Sequence, residues 1–333
     1  MEINETLSQY SDLLYTTTVA IYVLALLFTL FEQAFGAKGR LAAERSRQRV
    51  LVGAGGPETN DADDASIEDG DVPAEPEAPR AVGRAERIGR MGAALLVLGA
   101  LLQLSAIVLR GLAVHRAPWG NMYEYGMAVT FITVVAWLVV IKKFPVRHLT
   151  GFLLLPVVIL MFINGTMLYT VAAPVVPALQ SYWLVIHVSA AIIGSGVFLV
   201  PGVASVLYLF RTAHDRDPAK FAGFGPKLPA ADVLDRIAYR ATIVAFPIFT
   251  FGVLCGAVWA EAAWGRFWGW DPKETVAFIA WVVYAAYLHS RATAGWRGTR
   301  AAVINIVGFS VTIFNLFFVN LVTAGLHSYA GVS

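Results

Sequence analysis

Two histidines lie close to the ends of apolar segments, where rigid helices can hold metal-binding side chains. His187 lies about five residues into one apolar segment, and His327 directly follows the last one. If both segments end at the same membrane face, the two imidazoles lie at a similar depth, because a helix rises ~1.5 Å per residue. Imidazole is a common axial ligand of haem iron, and two imidazoles on different helices can hold one macrocycle. Each histidine alone is also compatible with binding only water and backbone groups.

A tryptophan-rich segment between two further apolar segments suggests a surface for a flat aromatic ligand. Four of the nine tryptophans fall within residues 259–274, more than interfacial anchoring of one span end requires. They are Trp259, Trp264, Trp268 and Trp270. The intervening glycines allow a planar porphyrin to approach closely. Arg266 and Lys273 are candidate partners for its carboxylates.

The end of this segment also carries a strong helix-start signal. Asp271, Pro272 and Glu274 have the spacing of an N-cap, a first helical residue and a third helical residue. Asp271 and Glu274 are therefore either ligand-binding residues or capping residues, and the sequence leaves both interpretations open.

A third histidine is predicted to lie deep in an apolar segment. His289 lies about 15 residues from the predicted outer end of its segment. At ~1.5 Å per residue this corresponds to a depth of ~22 Å along a helix. An ionisable group at that depth is costly and usually functional. His289 either packs inside the protein or shares a ligand with another subunit. The single cysteine, Cys255, is predicted to be a packing residue, so the chain supplies no thiol nucleophile.

The elements that carry these residues indicate an all-α, polytopic membrane protein with about eight transmembrane helices. Hydrophobic residues make up 57% of the 333 residues and charged residues only 14%, far from the composition of a soluble domain. Apolar runs of the ~20 residues needed to cross a bilayer recur, without the alternation typical of β-strands. The predicted spans are 13–34, 91–112, 125–141, 149–168, 183–210, 241–260, 275–290 and 302–324.

The distribution of basic residues predicts the direction of the spans, because cytoplasmic loops retain Lys and Arg. Placing both termini on the extracytoplasmic side puts 21 of the 25 basic residues into four inner loops. The chain then divides into a first transmembrane helix at 1–35, a cytoplasmic loop at 36–90 and a membrane domain at 91–333. Residues 53–79 of the loop form an acidic segment that is predicted to be disordered. A net charge of +2 gives no support for nucleic-acid binding.

Two motifs bring a protein family to mind. The segment Trp264-Gly-Arg-Phe-Trp-Gly-Trp-Asp-Pro-Lys-Glu274 resembles the tryptophan-rich WWD signature of the haem-handling proteins of cytochrome c maturation. The segment His115-Arg-Ala-Pro-Trp-Gly-Asn-Met-Tyr-Glu124 resembles the corresponding part of the CcsA (ResC) branch, which belongs to System II. The resemblance runs from about residue 90 to the end of the chain.

The resemblance implies the haem-binding subunit of a cytochrome c synthase (haem lyase) in the bacterial cytoplasmic membrane, with a thylakoid membrane less expected. It implies haem b as the ligand, a ResB/Ccs1-type membrane partner, apocytochrome c with its CxxCH motif as the substrate, and indirect dependence on a thiol-reducing thioredoxin-like protein. His289 then matches a transmembrane haem site whose second histidine belongs to the partner. His187 and His327 match the axial ligands of an extracytoplasmic site beside the WWD loop at 259–274.

Alternative interpretations remain open. A haem exporter or chaperone of the CcmC or CcmF type would deliver haem without attaching it, although those proteins are expected to differ in length. A membrane oxidoreductase or transporter using buried histidines is a third possibility, but only His289 is predicted to be deep. Asn121, Tyr123 and Glu124 either bind a haem propionate or simply close an outer loop.

Overall fold

The computed structural model describes residues 3–53, 78–175, 179–293 and 295–327. Within these ranges the chain is helical and contains no β-strand, which confirms the predicted all-α membrane fold. The helices are α1 Glu5–Gly53, α2 Ala78–Val114, α3 Met122–Lys143, α4 Thr150–Thr166, α5 Tyr182–Arg216, α6 Ala231–Trp264, α7 Pro272–Ala292 and α8 Thr299–Leu321. Seven of them are long and apolar enough to cross a membrane. The eighth, α7, has 21 residues and is also long enough, at ~1.5 Å per residue.

The first two helices extend well beyond their predicted spans. Helix α1 continues to Gly53 and α2 begins at Ala78, so much of the predicted loop at 36–90 is helical. The predicted spans end where the apolar runs end. The helices continue further, because Ala, Arg, Glu and Gln have high helix propensity also outside an apolar run. Residues 54–77 lie outside the described residues, so disorder of the acidic segment stays a prediction. The side of the membrane on which the termini lie also stays a prediction.

Helices α1 to α6 all contribute to one buried apolar core, and a few satisfied polar groups lie among α1, α2 and α3. The Tyr22 hydroxyl donates to Gln103 Oε1 over 2.9 Å, and the Gln103 amide donates to the Met127 carbonyl over 3.0 Å. These bonds connect α1, α2 and α3 inside the bundle. Because an unpaired polar group in an apolar interior is costly, they favour one register of the three helices.

Helices α5 and α6 form a close pair that positions the centre of the candidate site. A Cβ atom at Gly252 on α6 would lie only 3.2 Å from the backbone nitrogen of Ala191 on α5. The glycine therefore lets the two backbones approach closely, as small residues do between membrane helices. This approach brings the carbonyl of Gly252 within reach of a side chain on α5.

Candidate functional site

A cavity lies at one end of the bundle, between the ends of α3, α5, α6, α7 and α8. It contains about 1320 Å³ of empty space, part of which opens to solvent, and its walls are mainly apolar. Its lining includes His187, His327 and three of the four tryptophans of the 259–274 segment. His187 and His327, which are 140 positions apart in the sequence, therefore line the same cavity. A concave, aromatic cavity with a few convergent polar groups is the usual form of a small-molecule site.

His187 lies on α5, and residues of the neighbouring helix α6 orient its imidazole. Its Nδ1 lies 2.7 Å from the carbonyl oxygen of Gly252. A carbonyl can only accept, so Nδ1 carries the proton and Nε2 carries the lone pair that can bind a metal. The ring also lies parallel to the indole of Trp259, at 5.9 Å between centroids. The orientation and the tautomer of this imidazole are thus both set by α6.

His327 is held in an equivalent way by a carboxylate. Its Nδ1 lies 2.8 Å from Oδ2 of Asp271, whose side chain is almost completely buried. In the neutral imidazole Nδ1 therefore donates, and Nε2 carries the lone pair. Such a carboxylate orients a metal-binding histidine and makes its ligating nitrogen more basic.

Asp271 serves as a cap and as a partner of His327 at once. Its carboxylate accepts the N–H groups of Lys273, at the start of α7, and of Leu326. Burial alone would raise the pKa of Asp271, but the hydrogen bonds from His327 and Leu326 outweigh burial and lower that pKa. The carboxylate stays ionised, and its stabilising contribution is lost only as the pH falls through the lowered pKa. The two interpretations of Asp271 left open by the sequence are therefore compatible.

The two imidazoles share one tryptophan. The centroid of Trp259 lies 5.9 Å from the ring of His187 and 5.9 Å from the ring of His327. The imidazole centroids are therefore no further apart than twice that distance. Trp264 packs edge-on against Trp259 at 4.7 Å and against His327 at 5.1 Å. The aromatic rings thus limit movement of both histidines.

The other two tryptophans of the segment have different positions. Trp268 lines the cavity. Trp270 is 68% exposed, adopts a positive φ of 58° and does not line the cavity. Its ring packs edge-on against Trp268 at 5.9 Å. Trp270 therefore supports the segment rather than facing the cavity.

Arg266 does not face the cavity either, because Glu274 binds it. The Arg266 Nη1 atom lies 3.7 Å from Oε2 of Glu274. The same oxygen accepts the N–H groups of Gly269 and Asp271 and completes a capping box at the start of α7. Glu274 and Arg266 thus fold the tryptophan-rich segment onto the helix that follows it.

Of the three residues Asn121, Tyr123 and Glu124 at the start of α3, two do not line the cavity. Glu124 is fully buried and accepts hydrogen bonds from Arg116 at 2.7 Å, from Arg110 at 3.3 Å and from the Gly120 N–H at 2.9 Å. The buried Tyr123 donates to Asp12 instead of facing the cavity. Asn121 differs from both, because it caps α3 and also lines the cavity.

We expect Glu124→Gln to destabilise the protein strongly, because both the buried Arg110, which keeps its ion pair with Asp12, and the partly buried Arg116 lose the carboxylate that they share. Removing one partner of a buried ion pair costs about 3–5 kcal/mol. Thermal unfolding of the detergent-solubilised protein measures the effect. Asp232→Asn is the control, since the Asp232–Arg236 pair is exposed and lies within one helix. Equal thermal stability of the two variants would contradict this role of Glu124.

His289 lies apart from the other predicted ligands. It is exposed on α7, close to the end of the helix at Ala292, and is not part of the cavity. An exposed ring is compatible with a ligand shared with another subunit and argues against a packing role. Cys255 is buried and does not line the cavity.

Sequence reasoning missed Trp119, which precedes α3, and the contribution of α8 to the cavity. Trp119, Asn315 and Asn320 line it, in addition to Asn121 and Lys273, which the sequence had suggested. Asn315 and Asn320 lie in a mainly apolar span that also contains Asn305, Ser310 and Thr312, and polar residues inside a span are a signal of function. The spacing of Asn315 and Asn320 in the sequence does not indicate which face of α8 is turned toward the cavity.

Comparison with known proteins identifies the family. Residues 119–327 match the cytochrome c assembly protein family. The chain belongs to this family. The matched range contains every residue of the cavity described above and excludes α1 and α2.

The curated relatives of this chain include cytochrome c biogenesis proteins named CcsA. The chain is 39% identical to CcsA of Chlamydomonas reinhardtii over 64% of this chain and 60% of that protein. It is 34% identical to CcsA of Parasynechococcus marenigrum over 71% and 85% of the two chains. It is 32% identical to CcsA of Trieres chinensis over 74% and 89%. The chain is therefore a CcsA-type protein of cytochrome c maturation.

A solved structure has the same fold. The cytochrome c heme lyase CcmF superposes with a TM-score of 0.61 over 99% of this chain and 49% of that chain, at 17% sequence identity. At this identity the likeness shows the fold alone. The CcsA-type chain thus shares its helical arrangement with about half of a larger protein.

Proposed function

We propose that this CcsA-type chain binds haem b in the cavity and holds it for attachment to apocytochrome c. The observation that carries the proposal is the pair of imidazoles of His187 and His327 in one aromatic cavity, each with Nδ1 hydrogen-bonded to an acceptor. Both ligating nitrogens are therefore prepared before haem arrives. Among the described residues, no group of three or more His, Cys, Asp or Glu side chains could hold a bare metal ion. Two imidazoles are suited to the iron of a haem, because the porphyrin ring supplies its other four ligands.

The reaction requires positioning rather than a nucleophile from this chain. In thioether formation, the S–H group of each apocytochrome cysteine adds across a haem vinyl group. A C–S bond forms at one vinyl carbon and the hydrogen ends on the other, so no electrons are transferred overall. Cys255, the only cysteine, is buried away from the cavity. The contribution of the protein is to fix the iron through two imidazoles and to restrict the ring through the tryptophans.

The proposal includes a membrane location and a partner. The cavity is placed at the extracytoplasmic side of a bacterial cytoplasmic membrane, in agreement with the distribution of Lys and Arg. A ResB-type membrane protein would complete the synthase, and a thioredoxin-like protein would keep the apocytochrome thiols reduced. The exposed His289 is proposed to complete a transmembrane haem site with a histidine of that partner. These features rest on the resemblance of the motifs and on the exposure of His289.

Co-expression in a host that lacks its own cytochrome c maturation system tests the proposal. We expect covalent cytochrome c to form when this chain, a ResB-type partner and an apocytochrome are present together, and not when either membrane protein is omitted. Covalent haem is measured on denaturing gels by its peroxidase activity. Haem-loaded membranes that form no covalent cytochrome c would instead favour delivery of haem without attachment.

The position of Gly256 gives a prediction about His187. A Cβ atom at residue 256 would lie 2.6 Å from Cε1 and 2.7 Å from Nδ1 of His187, so the ring must move and lose its bond to Gly252. We expect Gly256→Ala to lower haem affinity by about 10-fold, as loss of an orienting contact does. Titration of the purified protein with haem, followed by absorbance, measures this. Gly223→Ala is the control, because nothing lies within 4 Å of that position. Wild-type affinity of Gly256→Ala would show that His187 is not held as described.

A further inference from the structure

Lys273 stands out among the residues of the cavity because of its charge. Among the described residues that line the cavity, it is the only lysine or arginine. It lies in the first turn of α7 and reaches between α7 and α8. A cation in a mainly apolar cavity is costly unless an opposite charge or several hydrogen bonds compensate it. The partners of Lys273 therefore indicate what the cavity binds.

The ammonium group of Lys273 has a neutral partner. Its Nζ atom donates to Oδ1 of Asn320 over 2.6 Å. Within the described ranges, no carboxylate lies within 4.0 Å of Nζ. An ammonium group has three hydrogens to donate, and the amide oxygen uses one. Lys273 is thus held by a hydrogen bond to an amide, and among the described residues no carboxylate forms a direct ion pair with it, although Asp271 attracts it from a longer distance.

The nearby carboxylates are engaged elsewhere. Asp271 binds His327 and the N–H groups of Lys273 and Leu326. Glu274 also lines the cavity, but its Oε2 binds two backbone N–H groups and lies 3.7 Å from Arg266. Arg266 partly offsets the charge of Glu274, whose Oε1 is buried with no hydrogen-bond partner among the described residues. Lys273 is the cation of this region that remains available to an anionic ligand.

A buried amide lies close to Lys273. Asn315 lines the cavity, and its Oδ1 is buried with no hydrogen-bond partner among the described residues. The side chain of Asn320 donates to the backbone carbonyl of Asn315 over 3.3 Å, so the two asparagines lie in adjacent turns of α8. Because the oxygen and nitrogen of an amide can exchange places by a flip, Asn315 can also offer a donor to a ligand.

We propose that Lys273, positioned by Asn320, binds a carboxylate of the porphyrin and thereby selects and orients it. This inference rests on the proposed binding of haem in the cavity. An ammonium–carboxylate hydrogen bond is among the stronger polar contacts in a protein, and an apolar surrounding strengthens it further. The two propionates of haem b lie on one edge of the ring and the vinyl groups on another. Holding the propionate edge at the start of α7 turns the vinyl groups away from α7, where thiols can reach them.

A comparison of haem with its dimethyl ester tests this role directly, because esterification removes the carboxylate charge and keeps the iron and the ring. Both porphyrins are titrated into the purified full-length chain in the same detergent, and binding is followed by absorbance. We expect wild-type protein to bind haem about 10-fold more tightly than the ester, the effect of one charge-assisted hydrogen bond. Lys273→Met is expected to remove this preference by weakening haem binding while leaving ester binding within about 2-fold.

Further variants make the result decisive. Lys273→Arg keeps the charge and is expected to keep the preference for haem. Lys273→Gln keeps a polar side chain but is expected to lose the preference for haem. This variant replaces Lys273→Met in the test if the methionine variant does not fold. Lys143→Met, at the opposite end of the bundle on α3, is the control and should behave as wild type. A preference for haem that survives in Lys273→Met and Lys273→Gln overturns the assignment of Lys273. Failure of wild-type protein to bind either porphyrin overturns the proposed function as well.

Discussion

Replacing His187 and His327 together by alanine is expected to abolish covalent cytochrome c formation while the protein still accumulates in the membrane. Both side chains lie at the cavity, where their loss removes the hydrogen bonds to Gly252 and Asp271 but no part of the buried apolar core. Loss of a residue that merely orients a ligand costs about 10–100-fold, so loss of both ligands should cost more than about 100-fold. Covalent haem in cells that also contain a ResB-type partner and an apocytochrome measures the effect.

The single variants should give a distinct spectroscopic result. Wild-type protein with haem should show the spectrum of a low-spin iron with two imidazole ligands. His187→Ala and His327→Ala should each show a five-coordinate, high-spin iron, and added imidazole should restore the low-spin spectrum. His214→Ala is the control, because His214 lies 27 residues further along the same helix. A low-spin spectrum in both single variants, unchanged from wild type, would mean that the iron has other ligands.

The sequence predicted the fold well because membrane helices leave a strong local signal. Runs of about 20 apolar residues have few alternatives to a transmembrane helix, and each of the eight predicted spans falls on a helix, seven of which are long and apolar enough to cross a membrane. The ends of α1 and α2 were not, since helices continue past the apolar run into residues such as those before Gly53. Hydrophobicity marks the part of a helix that can lie in lipid. It does not mark the end of the hydrogen-bonded backbone.

The candidate site was only partly predictable, because its geometry depends on contacts between distant segments. His187, His327 and Trp259 stood out by residue type and position near span ends. No local signal indicates that Gly252, 65 residues away, provides the acceptor for His187. A capping motif likewise does not reveal that Asp271 also binds His327.

The choice among neighbouring residues was equally hidden in the sequence. Arg266 and Lys273 are both basic and lie in the same segment, yet Arg266 binds Glu274 while Lys273 reaches the cavity. Trp268 and Trp270 are separated by one residue, yet only Trp268 lines the cavity. The positive φ of Trp270 turns the chain at this point. Such a turn depends on the fold of the whole loop rather than on the two residues.

Asp271→Asn should disturb haem ligation although it replaces only one heavy atom of the side chain. One carboxylate oxygen accepts from His327 and the other accepts from the Leu326 N–H. In asparagine one of these positions becomes an NH₂ group, which donates. If it faces His327, Nδ1 must accept, the ring proton moves to Nε2, and that nitrogen can no longer bind iron. If it faces Leu326, two donors meet and the segment that carries His327 is displaced.

Either arrangement weakens the same ligand, so we expect haem affinity and cytochrome c yield to fall by about 10–100-fold. The spectrum should shift toward that of His327→Ala. Asparagine is also a good N-cap when its oxygen faces the Lys273 N–H. The bond from the backbone N–H of residue 271 to Glu274 is kept in either arrangement, so α7 should still begin at Pro272 and thermal stability should change little.

A second substitution separates ligand orientation from helix capping. Asp271→Ser keeps an N-cap oxygen for the N–H groups at the start of α7 but is too short to replace the 2.8 Å contact with His327. It should therefore show the ligand defect without loss of the helix. If Asp271→Asn and Asp271→Ser both kept wild-type affinity and a low-spin spectrum, the carboxylate would be only a cap. His327 would then have to be oriented by Trp259 and Trp264 alone, whose edge-on packing limits where the ring lies but does not determine which of its nitrogens carries the proton.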